Sequence, residues 1–196
     1  MNLYGASGHA KVIIDILRSQ NIEIEAIYDD NEAVLGLLGI PVLHQKEIGS
    51  PLIISIGNNK IRKRIAENLN LEYGTAVHSS SIISPYATLG VGTVIMQGAI
   101  IQSCAAVGKH CIINTAATVD HDCELQDYVH ISPNSTLCGN VFVGEGTHIG
   151  AGSVILPGVK IGKWCVIGAG SVVAKDIPDY VLAVGNRCKI IKTIGG

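Results

Sequence analysis

The sequence predicts an α/β Rossmann-like unit over residues 1–75, followed by an all-β parallel β-helix over residues 76–196. Three observations predict it. Every sixth residue from Val77 to Val173 is Val, Ile or Leu, 17 positions without an exception. The residue two places before each of them is always Ala, Ser, Thr, Cys or Val. The first third follows a different rule, with short apolar runs and helical periodicities arranged around glycine-bearing turns.

In chain order, Asn2-Leu3-Tyr4 reads as a short strand and Gly5-Ala6-Ser7-Gly8-His9 as a glycine-rich turn. Val12, Ile13, Ile16 and Leu17 carry helical spacing over residues 10–19. Ile22 to Tyr28 reads as a second strand ending in Asp29-Asp30. Leu52 to Ile56 is a third apolar run, followed by Gly57-Asn58-Asn59 and a helical stretch to about Leu69. The order β-α-β-β-α is that of a small Rossmann-like unit, whose chemistry sits at the carboxyl ends of its strands. Gly5 and Gly8 let a ligand phosphate approach backbone N–H groups at a helix N-terminus. Asp29 follows about twenty residues on, where an acid meets a ribose or base. The pattern is G-x-x-G and the unit is short, which favours one mononucleotide over a dinucleotide.

A period of six fits neither an amphipathic helix nor an alternating strand. It is the signature of a parallel β-helix with one flat side per repeat. A large inward residue alternating with a small one suits a narrow layered coil. Gly90, Gly108, Gly144, Gly150, Gly162 and Gly168 each follow a large position, where glycine is expected to relieve backbone strain at a corner.

Composition narrows the function. Charged residues are 15% of the chain and hydrophobic ones 47%, which excludes a disordered chain. Aromatics are only 4%, so the core must be aliphatic. The net charge is −2, and the single basic cluster, Lys60-Ile61-Arg62-Lys63-Arg64, reads as a solvated helix face. Nucleic acid is therefore not an expected partner. No apolar run reaches the ~18 residues of a membrane span, and the N-terminus lacks signal-peptide regions. A cytoplasmic protein is expected. The six cysteines include no C-x-x-C pair, which leaves no zinc ribbon and predicts free buried thiols.

The hexads resemble those of the hexapeptide-repeat acyltransferases, in which three hexads make one coil of a left-handed β-helix. The whole chain resembles the sugar acetyltransferases of bacterial glycan pathways. These are the PglD-like UDP-4-amino-sugar N-acetyltransferases, the perosamine N-acetyltransferases and the sialic acid O-acetyltransferases. The motifs that carry the resemblance are Gly5-Ala6-Ser7-Gly8-His9, Tyr28-Asp29-Asp30, Ile56-Gly57-Asn58-Asn59, Val119-Asp120-His121-Asp122-Cys123 and Cys138-Gly139-Asn140-Val141.

The resemblance implies acetyl-CoA as co-substrate, no metal, and a homotrimer with active sites between subunits. It implies His121 as general base, Asp122 as the acid that polarises it, and the Gly139 N–H as oxyanion donor. His130, Gly139, Ala151 and Ala169 would meet acetyl-CoA. Ser7, Gly8, His9, Asp29, Asp30, Gly57 and Asn58 would line the nucleotide-sugar pocket. Elementary chemistry agrees: a sugar ammonium is not nucleophilic, and a carboxylate-held imidazole is suited to take its proton. The acceptor expected is a UDP-4-amino-4,6-dideoxy sugar, with GDP-perosamine and sialic acid as alternatives. The chain departs from the family in Val184-Gly185-Asn186-Arg187-Cys188-Lys189, where relatives often carry G-x-P-A-K. Arg187 or Lys189 remains available to a CoA phosphate. Two other readings are a zinc enzyme of the γ-carbonic-anhydrase type using His110, His121, His130 and His148, and a scaffold that trimerises a nucleotide sensor.

Overall fold

The computed structural model describes residues 1–45 and 47–195. Lys46 and Gly196, which the two predicted segments include, lie outside the described residues. No helix among the described residues is long and apolar enough to cross a membrane.

The N-terminal unit comprises β1 (Asn2–Tyr4), α1 (Gly8–Ser19), β2 (Ala26–Tyr28), β3 (Gly36–Leu37), β4 (Ile40–Leu43), β5 (Leu52–Ile54) and α2 (Asn59–Asn68). The sheet order is β3-β4-β2-β1-β5, parallel except for β3. The chain moves from β1 to one side for β2 and to the other for β5. The switch point therefore falls at β1, beside the glycine-rich turn. Gly5 is required there: its φ is +108°, and a Cβ would lie 2.7 Å from Ile56 Cγ1. α1 buries Ala10, Ile13, Ile14, Ile16 and Leu17, so the helical spacing is its core face.

The sequence does not reveal the β3–β4 hairpin. Its turn places Leu38 and Gly39 at φ 49° and 81°, a two-residue turn normally announced by Asn-Gly. The second strand is also shorter than expected, starting at Ala26 because Ile22 and Ile24 pack as loop residues against the core.

From Ala76 to Val173 the chain forms a three-sided left-handed parallel β-helix. Each two-residue strand pairs with the strand eighteen residues later, for example Ile101 with Val119 and Val119 with Leu137. The large inward residues are buried without exception from Ile95 to Val173, and Ala, Cys, Ser, Thr and three valines, Val129, Val141 and Val159, fill the small register. Ser135, Thr147 and Ser153 satisfy their hydroxyls on carbonyls of the next coil, so polar residues enter the core with partners. Cys111, Cys123 and Cys165 are buried as expected, whereas Cys104 is exposed at a corner.

The expected role of the six glycines is corrected. None of them has positive φ. A Cβ on Gly90 would lie 2.5 Å from the backbone of Gly108, and one on Gly144 2.5 Å from Lys163 N. They are there because successive coils approach too closely for a side chain. The left-handed conformation falls elsewhere, once per hexad, at Gly92, Gly98, Cys104, His110, Ala116 and onward through Asp122 and Asn140 to Gly170.

The N-terminal unit docks on one face of the prism. The outward side chains Ala76, Val94, Met96 and Ile112 belong to the same core as Leu3, Ile13 and Ile14. A hairpin of residues 181–184 and 189–193 closes the far end, pairing with the strand at Val166–Ile167.

Candidate active site

His121 and Asp122 sit at the corner opposite the docking face, where the other two faces meet. Asp122 is the left-handed residue of its hexad, with φ 58°. That turn presents its carboxylate to the preceding ring: His121 Nδ1 lies 2.8 Å from Asp122 Oδ2. The hydrogen bond from Nδ1 leaves Nε2 as the free acceptor. Asp120 Oδ1 accepts the His121 backbone N–H at 2.7 Å and adds a second negative charge. The Asp122 hydrogen bond, followed by the Asp120 charge, raises the His121 pKa above the usual imidazole value. Both side chains of the pair are 60% exposed.

Gly139 is one coil above His121, and a Cβ there would lie 2.6 Å from both Cε1 and Nε2 of the ring. Its N–H donates to no acceptor among the described residues. Cys123 points into the core and donates to Cys138 O at 3.2 Å, and burial raises its pKa. It has no nucleophilic geometry.

The nucleotide-pocket candidates collect around the carboxyl ends of β1, β2 and β5. Ser7 caps α1 without a side-chain hydrogen bond, and Ser7 and Gly8 are exposed. No atom lies within 4 Å of a Cβ built on Gly8 or Gly57. Asn58 caps α2, its Oδ1 accepting from Ile61 N at 3.0 Å. Asp29 braces the rim, accepting from Ala6 N at 2.6 Å and Asn31 N at 2.8 Å. Asp30 accepts from the Tyr4 hydroxyl at 2.6 Å. Burial and then that carboxylate push the Tyr4 pKa up to about 12, so it stays a donor. The Tyr4–Asp30 bridge stands between two clefts. One, of about 340 Å³, lies over β2 and β4 beside Glu32 and His44. The other, of about 240 Å³, lies between Gly5, Ile56 and Arg64.

His130 lies on the docking face, away from His121. Its ring stacks on His148 at 4.7 Å, and its Nε2 is 3.2 Å from Asn114 Nδ2. Burial, then the His148 ring and Arg62, bring its pKa down to about 3. His9 comes down to about 4, through burial and then Arg62. Both rings are neutral at physiological pH. Ala151 and Ala169 are exposed and stack one coil apart at the third corner, with Arg187 exposed beyond them.

One chain therefore does not bring the predicted residues together. The nucleotide rim, His121 with Gly139, and the alanine column occupy three separate places. The four histidines of the zinc reading do not converge either, for only His130 and His148 are neighbours. His110 is wedged between Tyr73 and Tyr128, His121 is at the far corner, and His148 Nε2 is bonded to Ser132 Oγ at 2.7 Å. Among the described residues no cluster of three metal-ligating side chains occurs.

Sequence reasoning missed Tyr4 and Arg62. Arg62 is 1% exposed, not part of a solvated face. The one signal for it was its spacing of three from Asn59, a polar pair on a polar helix.

The chain has clear relatives. Residues 1–69 match the PglD N-terminal domain family, and residues 140–175 match the bacterial transferase hexapeptide (six repeats) family. A variant of perosamine N-acetyltransferase from Caulobacter crescentus, solved with CoA and GDP-perosamine, is 37% identical with a TM-score of 0.89. The match covers 97% of this chain and 96% of that one. The acetyltransferase domain of PglB from Neisseria gonorrhoeae is 35% identical with a TM-score of 0.89, over 97% and 98% of the two chains. WeeI from Acinetobacter baumannii is 27% identical with the same TM-score and coverage of 97% and 98%. An uncharacterized protein of Acanthamoeba polyphaga mimivirus is 33% identical over 94 residues, and this chain spans 19% of its length.

Proposed function

The chain belongs to the hexapeptide-repeat nucleotide-sugar N-acetyltransferases, and from that membership we propose that it acetylates the 4-amino group of a nucleotide-linked amino-dideoxy sugar, with His121 as general base. Acetyl-CoA is the co-substrate. The observation that carries the reading is the His121–Asp122 pair with Gly139 directly above its ring.

The amine attacks the thioester carbonyl directly. His121 Nε2 takes the proton that the nitrogen sheds, and Asp122 stabilises the imidazolium that forms. The Gly139 N–H is free to receive the developing oxyanion. Collapse expels CoA as the thiolate, and the imidazolium proton is available to it. No acylated side chain is needed.

The active site lies between subunits of a homotrimer in this proposal. The nucleotide rim belongs to the unit docked on the face opposite the His121 corner, so in this reading a second copy supplies one half. The face between the His121 corner and the Ala151–Ala169 corner supports this. Its outward residues are Ile82, Ile100, Thr118, Thr136, Val154 and Val172, with no charge among them. Packing there sets the His121 corner of one copy beside the alanine column of the next. Acetyl-CoA then runs along that column with its phosphates toward Arg187.

The PglD-like motifs support a UDP-linked acceptor. A GDP-linked acceptor is the second reading, favoured by the larger cleft. Asp30, Glu32 and His44 give that cleft an acceptor-rich wall, because His44 Nδ1 is engaged with Asp29 O at 2.8 Å. Guanine offers adjacent N–H donors to such a wall, whereas uracil offers one N–H between two carbonyls.

A thiol-release assay tests the function. Acetyl-CoA is mixed with UDP-4-amino, GDP-4-amino and sialic acid acceptors, beside His121→Ala. Release with one nucleotide sugar, lost in the variant, is expected. No release from folded protein with any acceptor overturns the assignment.

A further inference from the structure

α2 turns a polar face to the β-helix. Its buried residues are Asn59 and Arg62, with no apolar side chain among them. A guanidinium carries five N–H donors, and here each has an acceptor. Nε donates to His110 O at 2.8 Å. Nη1 donates to Ile56 O at 3.0 Å and Gly57 O at 3.2 Å. Nη2 donates to Asn59 Oδ1 at 2.8 Å and Tyr128 O at 2.9 Å. Asn59 Nδ2 extends the set to Gly146 O at 3.0 Å.

His110 is the left-handed residue of one corner, and Tyr128 and Gly146 hold the same place in the next two coils. The carbonyl of such a residue accepts no backbone N–H of the coils, so it must find another donor when covered. Arg62 and Asn59 supply that donor in three successive coils. No carboxylate pairs with Arg62 among the described residues. Burial lowers its pKa only to about 10, which leaves it cationic.

The fork therefore grips two things at once. One side holds the corner of the coils, and the other holds the carbonyls of Ile56 and Gly57, next to Asn58 on the nucleotide rim. A planar fork fixes orientation in a way that an apolar contact or a point charge does not.

We propose that Arg62 is a positioning residue for acetyl transfer: it sets the Gly57–Asn58 rim at a fixed height on the coils, so that the sugar amine meets the partner subunit's His121. The proposal rests on the acetyltransferase reading above. It goes beyond it by naming what holds the two binding regions in register.

The test compares wild type, Arg62→Lys and Asn59→Ala by steady-state kinetics and by backbone hydrogen exchange. Lysine keeps the charge and loses the fork, and Asn59→Ala removes one coil's link with less disturbance. With nucleotide sugar as the varied substrate, kcat should fall on the order of 10- to 100-fold in Arg62→Lys, because a small misplacement is costly at a reacting centre. The acetyl-CoA KM should stay within about twofold, since its candidate residues lie on the coils that the fork does not move. Asn59→Ala should show the same split, smaller. Exchange should quicken in residues 56–69 and stay unchanged in the coils. Lower thermal stability with kcat and both KM values unchanged would make Arg62 merely structural and overturn the proposal. If wild type acetylates no acceptor, the functional reading fails separately, and exchange alone decides whether the fork holds the rim: unchanged exchange in both variants refutes it.

Discussion

Gly139 lies directly over the imidazole of His121, so close that a methyl group there would meet two ring atoms at 2.6 Å. The glycine sets the tilt of the ring and leaves an N–H beside it. Gly139→Ala keeps that N–H but pushes the ring aside, and should therefore reduce kcat by on the order of 100-fold, the scale of a misplaced catalytic group. The ring is an exposed, movable side chain, so thermal stability should change little. Crystallography of the variant with CoA would show the ring displaced. An unmoved ring with full activity would show that the placement of His121 does not depend on glycine at 139.

Asp122 should govern the pH dependence. A base works only when neutral, so activity falls as pH drops through the His121 pKa. The Asp122 hydrogen bond and the Asp120 charge raise that pKa, which places the acid limb above that of an ordinary imidazole. Asp122→Asn keeps a hydrogen-bonding group but loses the charge. Its acid limb in kcat/KM should move to lower pH, while the maximal rate falls because the imidazolium is less stabilised. A limb that stays in place would assign it to another group.

Two glycine substitutions separate crowding from conformation. Gly90 has ordinary φ but no room, and Gly98 has φ +66° with nothing within 4 Å of a Cβ. Gly90→Ala should destabilise by about 1–3 kcal/mol, as overpacking does. Gly98→Ala should stay within about 1 kcal/mol, because the left-handed penalty is partly offset by lost freedom in the unfolded chain. Thermal melts of the two would check the order.

The nucleotide base can be read by competition. Inhibition of the sugar reaction by UDP and by GDP would rank the two bases against the acceptor-rich cleft. Tyr4→Phe removes the hydroxyl that holds Asp30, and should weaken nucleotide binding by about 1 kcal/mol if Asp30 meets the ligand. Unchanged binding would mean that Asp30 faces solvent in the complex.

A charge on the uncharged face should separate the subunits. Val154→Glu puts a carboxylate on the fifth of its six strands. Light scattering should report trimer for wild type and smaller species for the variant, with activity lost in parallel. A wild-type monomer with full activity would overturn the shared site.

The β-helix was legible because its constraint recurs. Ile95, Ile101 and Val107 each meet the same demand for a large inward side chain, and the spacing repeats it until chance is excluded. The His121–Asp122 pair was legible because adjacent residues at a turn meet without help from the rest of the fold. Arg62 was not legible. It stands between Ile61 and Lys63, and nothing local distinguishes a cation that caps distant carbonyls from one that faces water. The β3–β4 hairpin escaped for a related reason, since Leu38 adopts a left-handed conformation that its residue type does not advertise. The six glycines were found, but their cause was not. The approach of Gly90 to Gly108 is a property of the stacked coils, invisible in the hexad itself.

The pairing of each strand with the one eighteen residues later has an evolutionary consequence. Inserting one hexad between the docking face and His121 would swing the histidine a third of the way round the prism axis. The N-terminal unit and the base would then face a different pair of neighbours. Length change in such a chain is quantised: whole coils can be gained or lost at a cost in reach alone, whereas single hexads scramble which surfaces meet. Descendants of this architecture should differ in height by complete turns, and keep the bearing of His121 relative to the docked unit unchanged.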